Sequence, residues 1–196
     1  MTARFKGFTL VELLKKRRFS SGFTLVELLI VIAIIGVLAV VVLVAINPVE
    51  QLAKTRDAGR ISTVTQIGHA IQAYYTAHAT QTNQYPTEAG PWYTELTTSG
   101  ELSTFPSLIG YSGVITPCSA ADNEYNGYCY DLDVSGSGYG AIVYARMESN
   151  NQNSKCTTVP EVAYAVFSSG DGRGGIVCAD PALELDPWAA SSQIYQ

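Results

Sequence analysis

The sequence predicts an α+β chain, in which a long N-terminal membrane-spanning helix is packed on a small antiparallel sheet. Three observations predict it. Residues 23–46 run almost wholly apolar, long enough at ~1.5 Å per helical residue to cross a hydrocarbon core of ~30 Å. From 49 to 80 the apolar positions Leu52, Ile61, Val64, Ile67, Ile71, Tyr74 and His78 recur mostly at helical spacing, with Lys54, Arg56, Asp57, Ser62, Gln66 and Gln72 on other faces. Beyond Tyr85, short strand-like runs are divided by clusters of Gly, Ser, Asn and Asp, the pattern of a meander.

Residues 1–22 form a basic leader, with Arg4, Lys6, Lys15, Lys16, Arg17 and Arg18 against Glu12 alone. The rest of the chain carries six basic and sixteen acidic side chains, so a net charge of -10 lies concealed within the overall -5. This asymmetry orients a single span with the leader cytoplasmic and the acidic part outside. The apolar run is too long for the core of a secretory signal, and no small-x-small site follows it, so the segment is retained.

Residues 23–47 are the spanning helix, interrupted by one acid, Glu27, and by no lysine or arginine. A charge at the centre of such a helix costs about 2.5–3.5 kcal/mol, less near the edge, and calls for a partner. A cut after Gly22 would create one, the α-amino group of Phe23. At Asn47-Pro48 the lost backbone donor kinks the helix without having to end it. Residues 48–83 continue as its amphipathic half, and Thr82-Asn83-Gln84 stops it.

Residues 84–196 form the head. A short helix is expected at 92–97, a loop at 100–113, and strands at 114–116, 128–133, 141–147, 162–167 and 175–178. All four cysteines lie here, on the outer side, where an even count points to two disulfides in one of three connectivities. If the last two strands form a hairpin, Cys178 returns beside the start of the strand at Val162, just after Cys156. That favours Cys156 with Cys178 and leaves Cys118 with Cys129. Zinc is disfavoured by the lack of any Cys-x-x-Cys pair.

The octapeptide Gly-Phe-Thr-Leu-Val-Glu-Leu-Leu occurs twice, at 7–14 and 22–29. Only the second leads into the apolar helix; the first meets Lys15-Lys16-Arg17-Arg18, which cannot enter lipid, and is a decoy. The basic leader, Gly22, Phe23, Glu27 as fifth residue after the cut, and the aliphatic helix together resemble the class III signal of type IV prepilins and type II secretion pseudopilins. That likeness covers residues 15–85, under half of the chain. It implies a pilin-like fold, cleavage by a prepilin peptidase, methylation at Phe23, storage in the cell membrane among lipid, and a homo-oligomeric helical filament. A platform membrane protein and an assembly ATPase are implied by the family alone. Within the filament Glu27 would neutralise a neighbour's N-terminus.

The same likeness implies a calcium site in a C-terminal loop, for which Asp131, Asp133, Asp171 and Asp180 are the candidate acids. The residues themselves argue otherwise. Asp131-Leu132-Asp133 begins like an EF-hand, but the bidentate acid would fall at Ile142. Asp131, Asp133 and Ser135 alternating on the wet face of a strand is the simpler account. No other cofactor is indicated. The glycine-rich stretch 170–175 lacks a phosphate loop's lysine and following helix, and His69 and His78 stand on one helix without a nucleophile motif, so no enzyme is expected. Twelve tyrosines exceed what core packing requires and suit adhesion or subunit contacts. Nucleic acid is disfavoured by the acidic balance. The functions left are a pilus subunit, a secretion pseudopilin, and a minor subunit whose head binds a surface ligand. The destination is an extracellular pilus or a periplasm-like space.

Overall fold

The computed structural model describes residues 22–80, 84–88, 90–118, 123–133 and 140–182. The basic leader, the first octapeptide copy and Ser135 lie outside the described residues.

Two compact units divide the chain at Ile46. The first contains helix α1, Leu25–Ile46, none of whose residues is buried. It ends there, because Asn47 takes a left-handed φ of 45° and its side chain accepts a hydrogen bond from the backbone N–H of Glu50, while Pro48 occupies the first turn of a new helix. An Asn cap followed by proline starts a helix because the cap supplies an acceptor and proline has no N–H to leave unpaired. Helix α2 is Pro48–Ala77. Helix α2 packs on β3, β4 and β5.

The second unit continues with helix α3, Trp92–Thr98, then strands β1, Asn123–Tyr125, β2, Tyr128–Asp133, and β3, Gly140–Arg146. A four-residue helix α4, Asn150–Asn153, precedes β4, Val162–Ser168, and β5, Arg173–Ala179. The five strands pair antiparallel in sequence order. The strand expected at 114–116 is absent. The sheet starts later, because Asn126 and Gly127, at φ 52° and 77°, make the two-residue turn that a right-twisted hairpin prefers.

The buried stripe of α2 is Ala53, Asp57, Arg60, Val64, Ile67, Ile71 and Tyr74, together with Gly68 and Ala70. Leu52, expected on that stripe, is exposed, and Asp57, expected on a wet face, is buried. Small strand residues, Ala145, Ala163 and Ala165, face the helix. At Gly68 the helix runs so near the sheet that a side-chain carbon there would collide with the Phe167 ring. Trp92 stacks on Tyr130 with centroids 4.9 Å apart, meets Phe105 edge-on, and donates its ring N–H to the Asn123 carbonyl. Tyrosines therefore serve the core more than the surface. Tyr74, Tyr85, Tyr128, Tyr130, Tyr144 and Tyr164 are all buried.

Both faces of the sheet are covered, since Cys129, Ile142, Tyr144, Tyr164, Val166 and Val177 form a second buried cluster. Asp131 on β2 shares this burial, at 6% exposure, so the expected wet face is not wet there.

Candidate processing and assembly site

Gly22 and Phe23 are exposed ahead of α1, Phe23 at 83%. Thr24 is the residue that caps the helix. Its hydroxyl accepts from the Glu27 N–H at 3.2 Å, while the Glu27 carboxylate accepts from both the N–H and the hydroxyl of Thr24, each at 2.8 Å. This is a capping box, Thr-x-x-Glu, in which helix-end donors are satisfied reciprocally. The four residues spell the motif outright, yet attention to lipid cost alone passes over Thr24. Glu27 thus has a partner within its own chain before any neighbour arrives. Beyond it α1 reaches a mean hydropathy of 3.6, and it is long and apolar enough to cross a membrane.

The cysteines pair as Cys118 with Cys129 and Cys156 with Cys178, with Cα atoms 5.6 and 5.5 Å apart. The first ties a loop to the start of β2; the second joins the segment after α4 to β5. The calcium candidates stand on β2, in the β4–β5 turn and after β5. Asp131 is in mid-β2, Asp171 lies in the β4–β5 turn, and Asp180 follows β5 and accepts from the Ala182 N–H. Asp133 ends β2. Among the described residues no group of three or more His, Cys, Asp or Glu is placed to hold a metal ion.

Of the other expected features, His78 stacks on Tyr74 at 3.9 Å and His69 is exposed with its ring against Phe167. The glycine-rich stretch is a hairpin turn, with Gly172 at φ 65°, that runs into β5.

A charged clamp in the head has no counterpart in the sequence reading. Asp57 and Arg60 on α2 are each 1% exposed. The Asp57 carboxylate accepts from Arg60 Nη1 at 2.7 Å and from the backbone N–H groups of Glu148 and Ser149 at 2.9 and 2.8 Å. Arg60 also donates to the carbonyls of Ile109 and Gly110 and lies 3.8 Å over the Tyr111 ring. Arg56 grips Glu148 with two hydrogen bonds, at 2.8 and 2.9 Å, and Ser112 donates to the same carboxylate from its N–H and hydroxyl. Glu50 receives the N–H groups of Asn150 and Asn151. Together these bonds pin the long 99–118 loop and the segment after β3 onto the first half of α2. The signal was available: counting back from Val64 in steps of four and three lands on Arg60, Asp57 and Ala53.

Electrostatics follow the geometry. The Arg56 guanidinium, helped by Ser112, holds the Glu148 carboxyl at about 2, and burial pushes the Tyr111 hydroxyl up to about 12 against the pull of Arg60. A carboxyl whose folded pKa is depressed contributes stability above its unfolded value near 4.5, and that contribution disappears as pH falls through about 2. Thermal melts of wild type and Glu148→Gln should therefore differ at neutral pH and converge between about pH 4.5 and 2. A constant gap across that window would show that the charge of Glu148 is not what the clamp uses.

Among known proteins, the family model for the prokaryotic N-terminal methylation motif matches residues 17–43. No curated protein and no solved structure matches the chain. The matched stretch holds Gly22, Phe23, the Thr24–Glu27 box and most of α1. Over these residues the chain carries the prokaryotic N-terminal methylation motif, the signal of type IV pilins and pseudopilins.

Proposed function

We propose that the protein is a structural subunit of a type IV pilus-like filament. It is cleaved after Gly22 by a prepilin peptidase, methylated at Phe23, held in the cell membrane with its head outside, and polymerised through α1. It is a building block and not a catalyst. The observation that carries this is the methylation motif at 17–43, which runs without interruption into a fully exposed apolar helix bearing a single acid. An exposed helix of this character needs a lipid or protein environment, and a bundle of identical helices supplies the second. The acidic head, carrying two disulfides, suits the oxidising side of the membrane.

A secretion pseudopilin is the second reading, favoured by Tyr85-Pro86-Thr87-Glu88 after the long helix. That segment is docked in the head, where Tyr130 donates to the Pro86 carbonyl and Thr87 donates to Glu95. The two disulfides favour the pilus.

Mass spectrometry of the N-terminal peptide, taken from membranes and from sheared surface filaments, tests the proposal. The expected mature chain begins at Phe23 and carries one added methyl group. A chain that begins at Phe8, or that retains Lys15 to Arg18, would refute it.

A further inference from the structure

A cleft of about 460 Å³ opens on the second compact unit between the last turns of α2, Tyr85 and the β4–β5 turn. Gln72, Tyr75, Thr76, Tyr85, Ser169 and Gly170 line it. None of these is charged, so the cleft has nothing to recognise a phosphate, a carboxylate or a metal ion. What it has is a set of neutral donors and acceptors beside an aromatic pair.

The Tyr75 and Tyr85 rings stack with centroids 4.7 Å apart. Tyr85 is 7% exposed and Tyr75 is half-buried, so Tyr75 is the ring that still offers surface. Around it the polar groups are fixed by the fold. The Ala141 N–H donates to the Ser169 hydroxyl at 2.8 Å, and that hydroxyl donates to the Tyr85 oxygen at 3.1 Å. The Tyr85 hydrogen is thereby left to donate elsewhere. Thr76 spends its hydrogen on the Ala73 carbonyl, which leaves its oxygen as an acceptor. The Gln72 side-chain amide lines the cleft and brings both a donor and an acceptor.

We infer that this cleft binds an uncharged sugar unit. A pyranose presents electropositive C–H faces, which suit the negative face of an aromatic ring, and a rim of hydroxyls, each both donor and acceptor, which suits an amide and hydroxyls. The volume lies within the ~300–1,000 Å³ of ordinary small-molecule sites. The inference goes beyond filament formation, because the cleft lies wholly within the second compact unit and needs no neighbouring subunit.

The test is saturation-transfer NMR on the unassembled full chain in a zwitterionic detergent, since a sugar-headed detergent would compete. The probes are galactose, glucose and N-acetylglucosamine, with acetate, whose methyl protons report transfer, as a charged control. Transfer to the ring protons of at least one sugar is expected. Gln72→Ala should weaken that binding about five- to tenfold, as the loss of one hydrogen bond in a shielded site does. Tyr75→Leu keeps an apolar contact with Tyr85 but removes the ring face, and it should abolish transfer. Circular dichroism confirms that each variant folds. Absence of transfer from all three sugars, or transfer that neither variant alters, overturns the inference. So does a dityrosine cross-link from Tyr75 between subunits of sheared filaments, which would make the cleft a subunit contact. Because the protein is unassembled in the NMR measurement, failure to bind sugar leaves the filament proposal standing.

Discussion

Replacing Glu27 by Leu should leave the protein cleaved and inserted in the membrane but absent from sheared filaments. Insertion survives because two effects of unequal size oppose one another. Losing the Thr24–Glu27 box costs the helix end about 0.5–2 kcal/mol, whereas removing a charged side chain from the apolar segment relieves up to about 2.5–3.5 kcal/mol and adds a further apolar side chain. Processing survives because Gly22 and the leader are untouched. Assembly fails because the buried ammonium of a neighbour's Phe23 is left without a carboxylate, and an unpaired buried charge costs about 3–5 kcal/mol at each subunit contact.

Glu27→Gln separates the two roles of this side chain. Glutamine serves at the third position of a capping box, so the helix end stays satisfied while the charge is gone. If charge sets the axial register, the Gln variant is lost from filaments as completely as the Leu variant. Recovery of filaments at wild-type yield from Glu27→Gln as sole subunit would mean that the cap, and not the ion pair, is what assembly requires. The measurement compares cleaved protein in membranes with protein in the sheared fraction for all three forms.

The second large effect is expected at Asp57→Ala, inside the head. This substitution removes the acceptor for Arg60 Nη1 and for the N–H groups of Glu148 and Ser149, in a place where Asp57, Arg60 and Ser149 are each at most 1% exposed. Arg60 keeps its two carbonyl partners and a 3.6 Å approach to Glu148, too little to balance a buried guanidinium. A loss of about 3–5 kcal/mol is expected, a large part of the ~5–15 kcal/mol that holds a domain folded. Urea unfolding of the full chain in detergent, followed by near-ultraviolet circular dichroism, reads it. The double variant Asp57→Ala with Arg60→Met should recover part of the loss, since the charge that needed a partner is gone. A single variant within about 1 kcal/mol of wild type would show that the clamp is dispensable.

Much of the fold was legible because hydrophobic period and turn chemistry act locally. Strand β2 falls at 128–133 as expected, β3 to β5 fall within a residue or two of expectation, and α3 runs one residue further than predicted. The misses have physical causes. Val114 to Thr116 has β-branched residues but no partner strand beside it, while Asn123 to Tyr125 is polar and pairs only because Asn126-Gly127 folds it back on β2. Asp57 looked like a surface residue because a charge was assumed to seek water, whereas here the Arg60 guanidinium takes the place of water. Asp131 was misplaced by the same assumption. The N-terminal methylation motif was legible because its signal is contiguous. The cleft was not, since it draws on residues from Gln72 to Gly170 that share no motif.

The meander and the clamp also fix an order in time. Every strand pairs with its neighbour in sequence, so the sheet can grow hairpin by hairpin as the chain is made. The amphipathic helix cannot wait in the same way. Its Asp57 meets partners 91 and 92 residues further on, and its face from Val64 to Tyr74 is covered by strands that are synthesised only later. A newborn chain therefore carries this apolar face of α2 uncovered through most of its own synthesis. The interval before β3 and β4 arrive is when it is most open to capture by another chain or to attack by a protease.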